Sequence, residues 1–435
     1  MMDHSYSPIK IGLLGPFGFG NLGDAAIQQA MIENIGKRYP DAEVYGFSLN
    51  PEDTEKRHGI KSFPITRMPR KIWDEGQGWG YRSRLARLSL RLESNVFTRL
   101  VYRILFRVPS EIVLIFKSMK NLQGLDYLIV SGGGQLDDYW GGAWGHPYVL
   151  FKWAILARLL RVRFLVVSVG AGPLRSFLSK LFVKSALSLA SYRSFRDEDS
   201  KSFIKNIGFD HWGYVYPDLA LSLQARNGHK TKERSPLTVG IGPMSYFDSR
   251  VWPEKDNEVY RGYLDRLAQF VSRIIKQNHR VVFFPGEAVH DMPVIDDLRK
   301  VLDEKRVRMK KNQLEVAAAT TVDTLTDVLS HCDVLVASRY HGVLLAQLLH
   351  RPVIALSYHK KIEALMADAG QSKYCLDING FNVETLVERF ENLVADRKNV
   401  EMILTNKARE FRALLDQQYD KILGSNGKSR ISQVA

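Results

Sequence analysis

The chain has 435 residues, 45% of them hydrophobic, which is long for one domain and enough to bury two full cores. Its two cysteines, Cys332 and Cys375, lie in or beside apolar runs, which argues against a disulfide framework and for a reducing compartment. The net charge of +14 is uneven: Lys61 to Lys120 holds 13 Lys/Arg against 4 Asp/Glu, a net of +9, which leaves +5 elsewhere and points to an anionic partner at that block.

The N-terminus, MMDHSYSPIK, has no apolar signal region. No segment reaches the roughly 18 apolar residues of a spanning helix, so a cytoplasmic protein is expected. Ile9 to Leu14 reads as a strand, followed by the glycine turn Gly15 to Asp24 and a helix from Ala25. Gly18, Gly20 and Gly23 match the spacing of a dinucleotide fingerprint. The turn is longer than that fingerprint, and Asp24, read as the helix cap, would repel a pyrophosphate. The remaining readings are a loop that admits something small, or a tight turn. Val44 to Leu49 is the second strand, and Asn50 to Lys61 is a polar connection with helical propensity.

The basic block follows. Leu85, Leu88, Leu92, Val96, Leu100 and Ile104 recur at helical spacing between arginines, among them Arg84, Arg87 and Arg91, and the pattern resumes from Glu111 to Leu122. Such a cationic amphipathic stretch resembles an interfacial membrane helix. Its other reading is a surface helix whose stripe packs on the sheet. The chain carries no recognised nucleic-acid-binding motif, and no nucleic-acid partner is expected.

Leu125 to Ser131 is a strand that ends on Gly132, Gly133 and Gly134, which suit a ligand crevice at a sheet's carboxyl edge. Asp137, Asp138 and the aromatics Tyr139, Trp140 and Trp144 follow; adjacent aspartates serve as base, metal ligand or turn cap. Without supporting His or Cys spacing, no metal site is expected. Phe164 to Val169 and Ser191 to Arg196 are strands, which places Arg196 at a carboxyl end, either as a site residue or paired with the acidic residues after it. The polar stretch Ala225 to Pro236 reads as a linker.

The second half restarts with a strand at Leu237 to Gly242, a helix at Tyr260 to Gln277 and a strand at Val281 to Phe284. Asp291 to Asp303 and Val322 to His331 are helices. Val334 to Ala337, Val343 to Leu349 and Val353 to Ser357 form a strand, helix and strand of a parallel sheet. Ser338 is a plausible helix cap, which puts Arg339 and His341 in the first turn. Cations fit poorly at the positive end of a helix unless an anion shares the spot, so an anion site with an acid or base beside it is expected; a solvated first turn is the plainer alternative. Glu384 to Leu423 is mostly helical, and residues 425–435 read as a disordered tail. The whole is α/β: an N-terminal domain at 1–224 with the basic segment 61–120, a linker at 225–236, and a C-terminal domain at 237–424.

Eight pieces in order resemble the polysaccharide pyruvyl transferase family: GNLGDAAI (Gly20 to Ile27), NPEDTEKRHGI (Asn50 to Ile60), VSGGGQLDDYWG (Val130 to Gly141), VGAGPL (Val169 to Leu174), FRDEDS (Phe195 to Ser200), YPDLAL (Tyr216 to Leu221), SRYHG (Ser338 to Gly342) and SYHKK (Ser357 to Lys361). The resemblance implies two Rossmann-like, doubly wound domains facing across a cleft, as in GT-B glycosyltransferases. It implies transfer of the carboxyvinyl unit of phosphoenolpyruvate, with no further cofactor, onto a sugar of an exopolysaccharide or lipid-linked oligosaccharide as a pyruvate ketal. The acceptor falls to the first domain and phosphoenolpyruvate to the second. The catalytic positions that it implies are His341 as general acid and Asp138 as base. Arg339, Arg196, Lys361, Gly132, Gly133, Gly134, Asn21 and Asp24 are the expected binding residues, the two arginines holding phosphate and carboxylate in an order left open. Tyr340 stands where the family carries leucine, His359-Lys360 where it carries Asp-Pro, and VGIGPM (Val239 to Met244) lacks an arginine of many relatives. The expected location is the cytoplasm, at the inner face of the plasma membrane if the basic helix docks there. The alternatives are a GT-B glycosyltransferase using a nucleotide sugar, and a non-enzymatic glycan-binding protein.

Overall fold

The computed structural model describes residues 8–67, 108–139, 141–224, 236–252, 254 and 256–424. The arginine-rich stretch 81–107, Trp140, nearly all of the linker and the tail 425–435 therefore lie outside the described residues. The chain divides into two compact units, Met1–Gly18 with Ile35–Tyr216 and Asn426–Ala435, and Phe19–Asn34 with Pro217–Ser425.

In the first unit, apolar runs buried on both faces make a parallel sheet. Its strands are β1 (Lys10–Leu14), β2 (Glu43–Ser48), β3 (Ser62–Pro64), β4 (Tyr127–Ser131), β5 (Arg163–Val169), β6 (Tyr192–Phe195) and β7 (Tyr214–Val215), in the order β3-β2-β1-β4-β5-β6-β7. Helix α1 (Leu22–Arg38) follows β1, and α2 (Pro51–His58) follows β2. The polar connection after Leu49 is thus a capped helix: Asn50 accepts from the backbone N–H of Asp53, and Gly59 ends the helix at φ 68°. Helices α3 (Val108–Leu122), α4 (His146–Leu159), α5 (Phe177–Leu189) and α6 (Glu198–Asn206) also belong to this unit, with a 3-10 turn at Gly142–Trp144, whereas the Leu22–Asn34 part of α1 groups with the second unit. Trp153 of α4 anchors its core, edge-on to Phe47 at 5.0 Å, with its indole N–H donated to the Ile65 carbonyl at 3.0 Å.

The second sheet is also parallel: β8 (Thr238–Gly242), β9 (Arg280–Phe283), β10 (Leu314–Val316), β11 (Val334–Ala337), β12 (Val353–Ser357) and β13 (Cys375–Asp377), ordered β10-β9-β8-β11-β12-β13. Around it lie α7 (Asn257–Lys276), α8 (Ala288–Glu304), α9 (Val322–Ser330), α10 (Tyr340–Leu348), α11 (Lys360–Asp368), α12 (Val383–Ala395) and α13 (Arg397–Leu423). Helix α7 buries Tyr260, Tyr263, Leu267, Phe270 and Ile274 at spacings of 3 and 4, and Asp256 caps it. Both cysteines carry free thiols.

Each sheet starts in its middle, runs to one edge and returns to the other side of its first strand. The strand order therefore reverses between β1 and β4, and between β8 and β11. The carboxyl ends at such a switch point diverge into a crevice. Gly132 to Gly134 leave β4 at one such point, and Ser338 to His341 leave β11 at the other. Phe19–Asn34 and Pro217–Gln224 group with the second unit, not with the amino-terminal domain in which they stand in sequence.

Candidate functional site

The segment after β11 opens α10, but Ser338 is not its cap. Its hydroxyl is 3.1 Å from the buried hydroxyl of Tyr263. Arg339 occupies the cap position without a side-chain capping bond, and Tyr340 begins the helix. His341 therefore stands in the first turn, with Nε2 3.8 Å from Oδ2 of Asp218. Asp218 is buried, and its other oxygen accepts the Ala220 N–H at 3.0 Å. A carboxylate facing an imidazole at this distance favours one orientation of the ring.

The first turn of α1 meets the same histidine. Asn21, not Asp24, caps α1: its Oδ1 accepts from the N–H groups of Gly23 (3.0 Å) and Asp24 (3.3 Å). A short amide side chain one residue before the helix competes best for those amides, which leaves Asp24 inside the first turn. A β-carbon at Gly23 would overlap Nδ1 and Cγ of His341, so this glycine makes room for the ring. The backbone at Asn21 pairs with Glu287, Leu22 N–H donates to the Gly286 carbonyl at 3.3 Å, and Ala288 N–H donates to the Gly20 carbonyl at 3.3 Å. The GNLGD, PD and SRYHG segments thus converge within the second unit, with a fourth, FPGEAVHD (Phe284 to Asp291).

Arg339 is held by that fourth segment. Its Nε lies 3.0 Å and its Nη2 2.6 Å from the Asp291 carboxylate, and Nη1 lies 2.8 Å from Oε2 of Glu287. Asp291 is 0% exposed and also accepts the N–H groups of Gly286 (3.0 Å) and Glu287 (2.8 Å). Burial opposes the Arg339 charge, but Asp291 and Glu287 outweigh it and raise its pKa. Burial also opposes the Glu287 charge, but Arg339 and His290 prevail and lower its pKa. His290 is raised, first by its hydrogen bond to Glu287. The guanidinium is thus bidentate to one carboxylate and bonded to another. The sequence reading missed Glu287, His290 and Asp291. Their signal was a glycine at a strand's carboxyl end, followed by acidic and imidazole groups at helical spacing.

Lys361 opens α11. Its Nζ stands 5.5 Å from the Tyr358 ring centre and 5.9 Å from that of Tyr340. Among the described residues it makes no ion pair with a carboxylate, so its charge remains available to an anion, unlike that of Arg339.

The first unit gathers the other expected residues. Gly132 (φ 52°) and Gly133 (φ 70°) take left-handed conformations that side chains resist. Their turn is laced to the loop after β5: Gly170 N–H donates to Gly133 at 2.7 Å, and Leu136 N–H to Gly170 at 3.1 Å. Gly134 has a negative or extended backbone and open space beside it, with only an Asp137 oxygen at 3.9 Å from an added β-carbon. Buried Gln135 donates to the carbonyls of Ser131 and Gly132, and its Oε1 is 3.1 Å from Nε2 of His146. Burial lowers the His146 pKa to about 4, so the ring is neutral and donates to that oxygen. Neither residue was singled out from sequence.

Asp138 Oδ2 accepts the N–H groups of Arg175 (2.8 Å) and Ser176 (3.3 Å). Burial would raise its pKa, but Ser179 and these amides lower it overall. It is therefore a weak base that orders the approach to α5. Arg196 Nε is 3.4 Å from Asp197, its side chain is 8% exposed, and a β-carbon on Gly170 would come 2.5 Å from its Nη2. The pairing with the following acid is thus present.

A family model described as polysaccharide pyruvyl transferase matches residues 21–360. No curated protein sequence matches the chain. Solved structures with this architecture include S. aureus MnaA with UDP (TM-score 0.55, 10% identity, 99% of this chain and 100% of that one). UDP-GlcNAc 2-epimerase from Neisseria meningitidis bound to UDP-GlcNAc is another (0.54, 12%, 95% and 99%). Anabaena HepE in complex with UDP is a third (0.52, 12%, 96% and 99%). At these identities the likeness is one of fold, the GT-B type.

Proposed function

The chain belongs to the polysaccharide pyruvyl transferase family, and from that premise we propose that it transfers the carboxyvinyl unit of phosphoenolpyruvate to a sugar, closing a pyruvate ketal. The acceptor is a sugar of an exopolysaccharide or lipid-linked oligosaccharide. The observation that carries the reading is His341, set in the first turn of α10 between Asp218 and Gly23.

Protonated His341 delivers its proton to the methylene carbon of phosphoenolpyruvate, which leaves an oxocarbenium-like centre at the adjacent carbon. One sugar hydroxyl adds there and surrenders its proton. The carbon–oxygen bond to phosphate then breaks with the electron pair leaving on phosphate, the second hydroxyl adds, and its proton goes to the departing phosphate. The neutral imidazole left by the first step is the base that takes a hydroxyl proton. Asp218 is a positioning residue for that ring. Lys361 and the helix start receive the anionic groups of the donor. Arg339, neutralised by Asp291 and Glu287, keeps the loop in place and offers its remaining N–H groups. Asp138 and Arg196 hold the rim of the first sheet and are given no step in the transfer.

The test is incubation of the purified protein with phosphoenolpyruvate and lipid-linked oligosaccharides. Expected are released phosphate and a product heavier by one pyruvic acid less one water. A product heavier by a hexose, formed from a nucleotide sugar, would overturn the reading, as would acceptor binding without consumption of phosphoenolpyruvate.

We also propose contact with an anionic bilayer. No helix among the described residues is long and apolar enough to cross a membrane. On the first unit, however, Phe116 of α3 is 67% exposed, Trp144 68% and Phe177 of α5 79%, with exposed Lys117 and Lys120 on α3. Trp144 lies 5.6 Å from Phe182 of α5 and 5.4 Å from Tyr148, whose hydroxyl donates to Glu111 of α3, so these elements are neighbours. Exposed aromatic rings and cations on neighbouring elements suit the headgroup boundary. Flotation with phosphatidylglycerol vesicles should fail after Phe116→Glu with Phe177→Glu, and weaken after charge reversal at Arg84, Arg87 and Arg91. Unchanged flotation in both variants would refute the contact.

A further inference from the structure

The loop after β8 carries Tyr246, Phe247 and Trp252, and the loop after β12 carries Tyr358. In the sheet these two strands flank β11, whose own loop carries Arg339 and His341. Phe247 and Trp252 stack at 5.9 Å and 27°. Trp252 meets Tyr358 edge-on at 5.9 Å, and Tyr246 lies against Phe247 at 4.8 Å and Trp252 at 5.4 Å. The run continues from Tyr358 through Lys361 to Tyr340, whose ring centre is 5.1 Å from that of His341. Aromatic and cationic groups therefore lead without a break from an outer loop to the histidine.

Three features distinguish this run from a closed core. Tyr246 is buried, but Phe247, Trp252 and Tyr358 are each only half-buried. Phe247 takes φ 54°, a backbone region that large side chains avoid, and such strain persists only where the surroundings impose it. Here they do: Asp248, 2% exposed, accepts from Nε of Arg250 at 2.9 Å and from the Trp252 N–H through its carbonyl at 2.8 Å. Arg250 also reaches Asp297 at 2.7 Å and the Tyr260 hydroxyl at 2.8 Å. The rings are thus held ready rather than left to collapse.

We propose that Phe247, Trp252 and Tyr358 form a stacking platform for a pyranose ring of the acceptor. The C–H groups on one face of a pyranose make an apolar surface that packs on aromatic rings, while its hydroxyls stay at the edge for hydrogen bonding. A sugar seated there is led towards His341. The assignment rests on the acceptor being a glycan and places a sugar subsite in the second unit, beside the donor groups.

The test is direct binding, which needs no turnover. Saturation-transfer NMR on the full chain, with methyl α- and β-hexopyranosides and with uridine as the contrasting probe, should show saturation of pyranoside C–H protons. Trp252→Ala and Tyr358→Leu should each weaken pyranoside binding by about tenfold. His341→Ala should leave it intact. Tyr358→Leu preserves bulk, so it remains informative if Trp252→Ala fails to fold. Absence of pyranoside binding to the wild type, equal binding by both variants, or binding of uridine alone would overturn the platform. If pyranosides bind as expected but phosphoenolpyruvate is not consumed, the ketal reading fails and the sugar site stands. If phosphoenolpyruvate is consumed with an unaltered acceptor KM in both variants, the platform fails and the ketal reading stands.

Discussion

Replacing His341 with alanine is expected to lower phosphate release from phosphoenolpyruvate, in the presence of acceptor, by about 10²–10⁴-fold, the usual contribution of a positioned general acid. The thermal midpoint should change little, because the ring lies at the helix start rather than in the core. Near-normal turnover would remove His341 from the proposed chemistry. A companion change separates chemistry from placement. Gly23→Ala adds only a methyl group, but that methyl falls on the imidazole. The ring must shift from Asp218, and activity should fall although no group that meets substrate has been altered. Gly23 does not have a positive φ, so backbone strain would not account for the loss.

Asp291→Ala is expected to cost about 3–5 kcal/mol of stability in the second unit, because it leaves the Arg339 charge without its bidentate partner and orphans two backbone amides. A thermal melt measures the loss directly. Replacing both partners, Asp291→Leu with Arg339→Met, should cost clearly less than the sum of the single changes, since the pair then leaves no uncompensated charge. Additive losses would mean that the two residues do not act as a unit. The double variant should still be poorly active, because Arg339 also keeps the loop that carries His341.

Much of the fold was legible in the sequence. Buried parallel strands are short apolar runs, and Leu128 to Val130, Val334 to Ala337 and Val353 to Leu356 announce themselves by composition alone. The edge strands β10 and β13, each three residues long, were not read, because so few residues carry little periodicity. The histidine, the arginines and the glycine turns were found from their residue types at strand ends. Their partners were not. Asp218 faces a histidine 123 positions later, and Asp291 an arginine 48 positions later, and no local pattern records such pairs.

The sequence by itself determined the two parallel sheets, the loops that carry chemistry and the family. Only the tertiary structure decided which unit each loop serves. Phe19–Asn34 belongs with residues more than 180 positions away, because Asn21 and Leu22 bond to Gly286 and Glu287 and because Gly23 has no side chain to keep His341 out. Composition and spacing are local quantities, whereas a missing β-carbon acquires meaning only from the atom that comes to occupy its place.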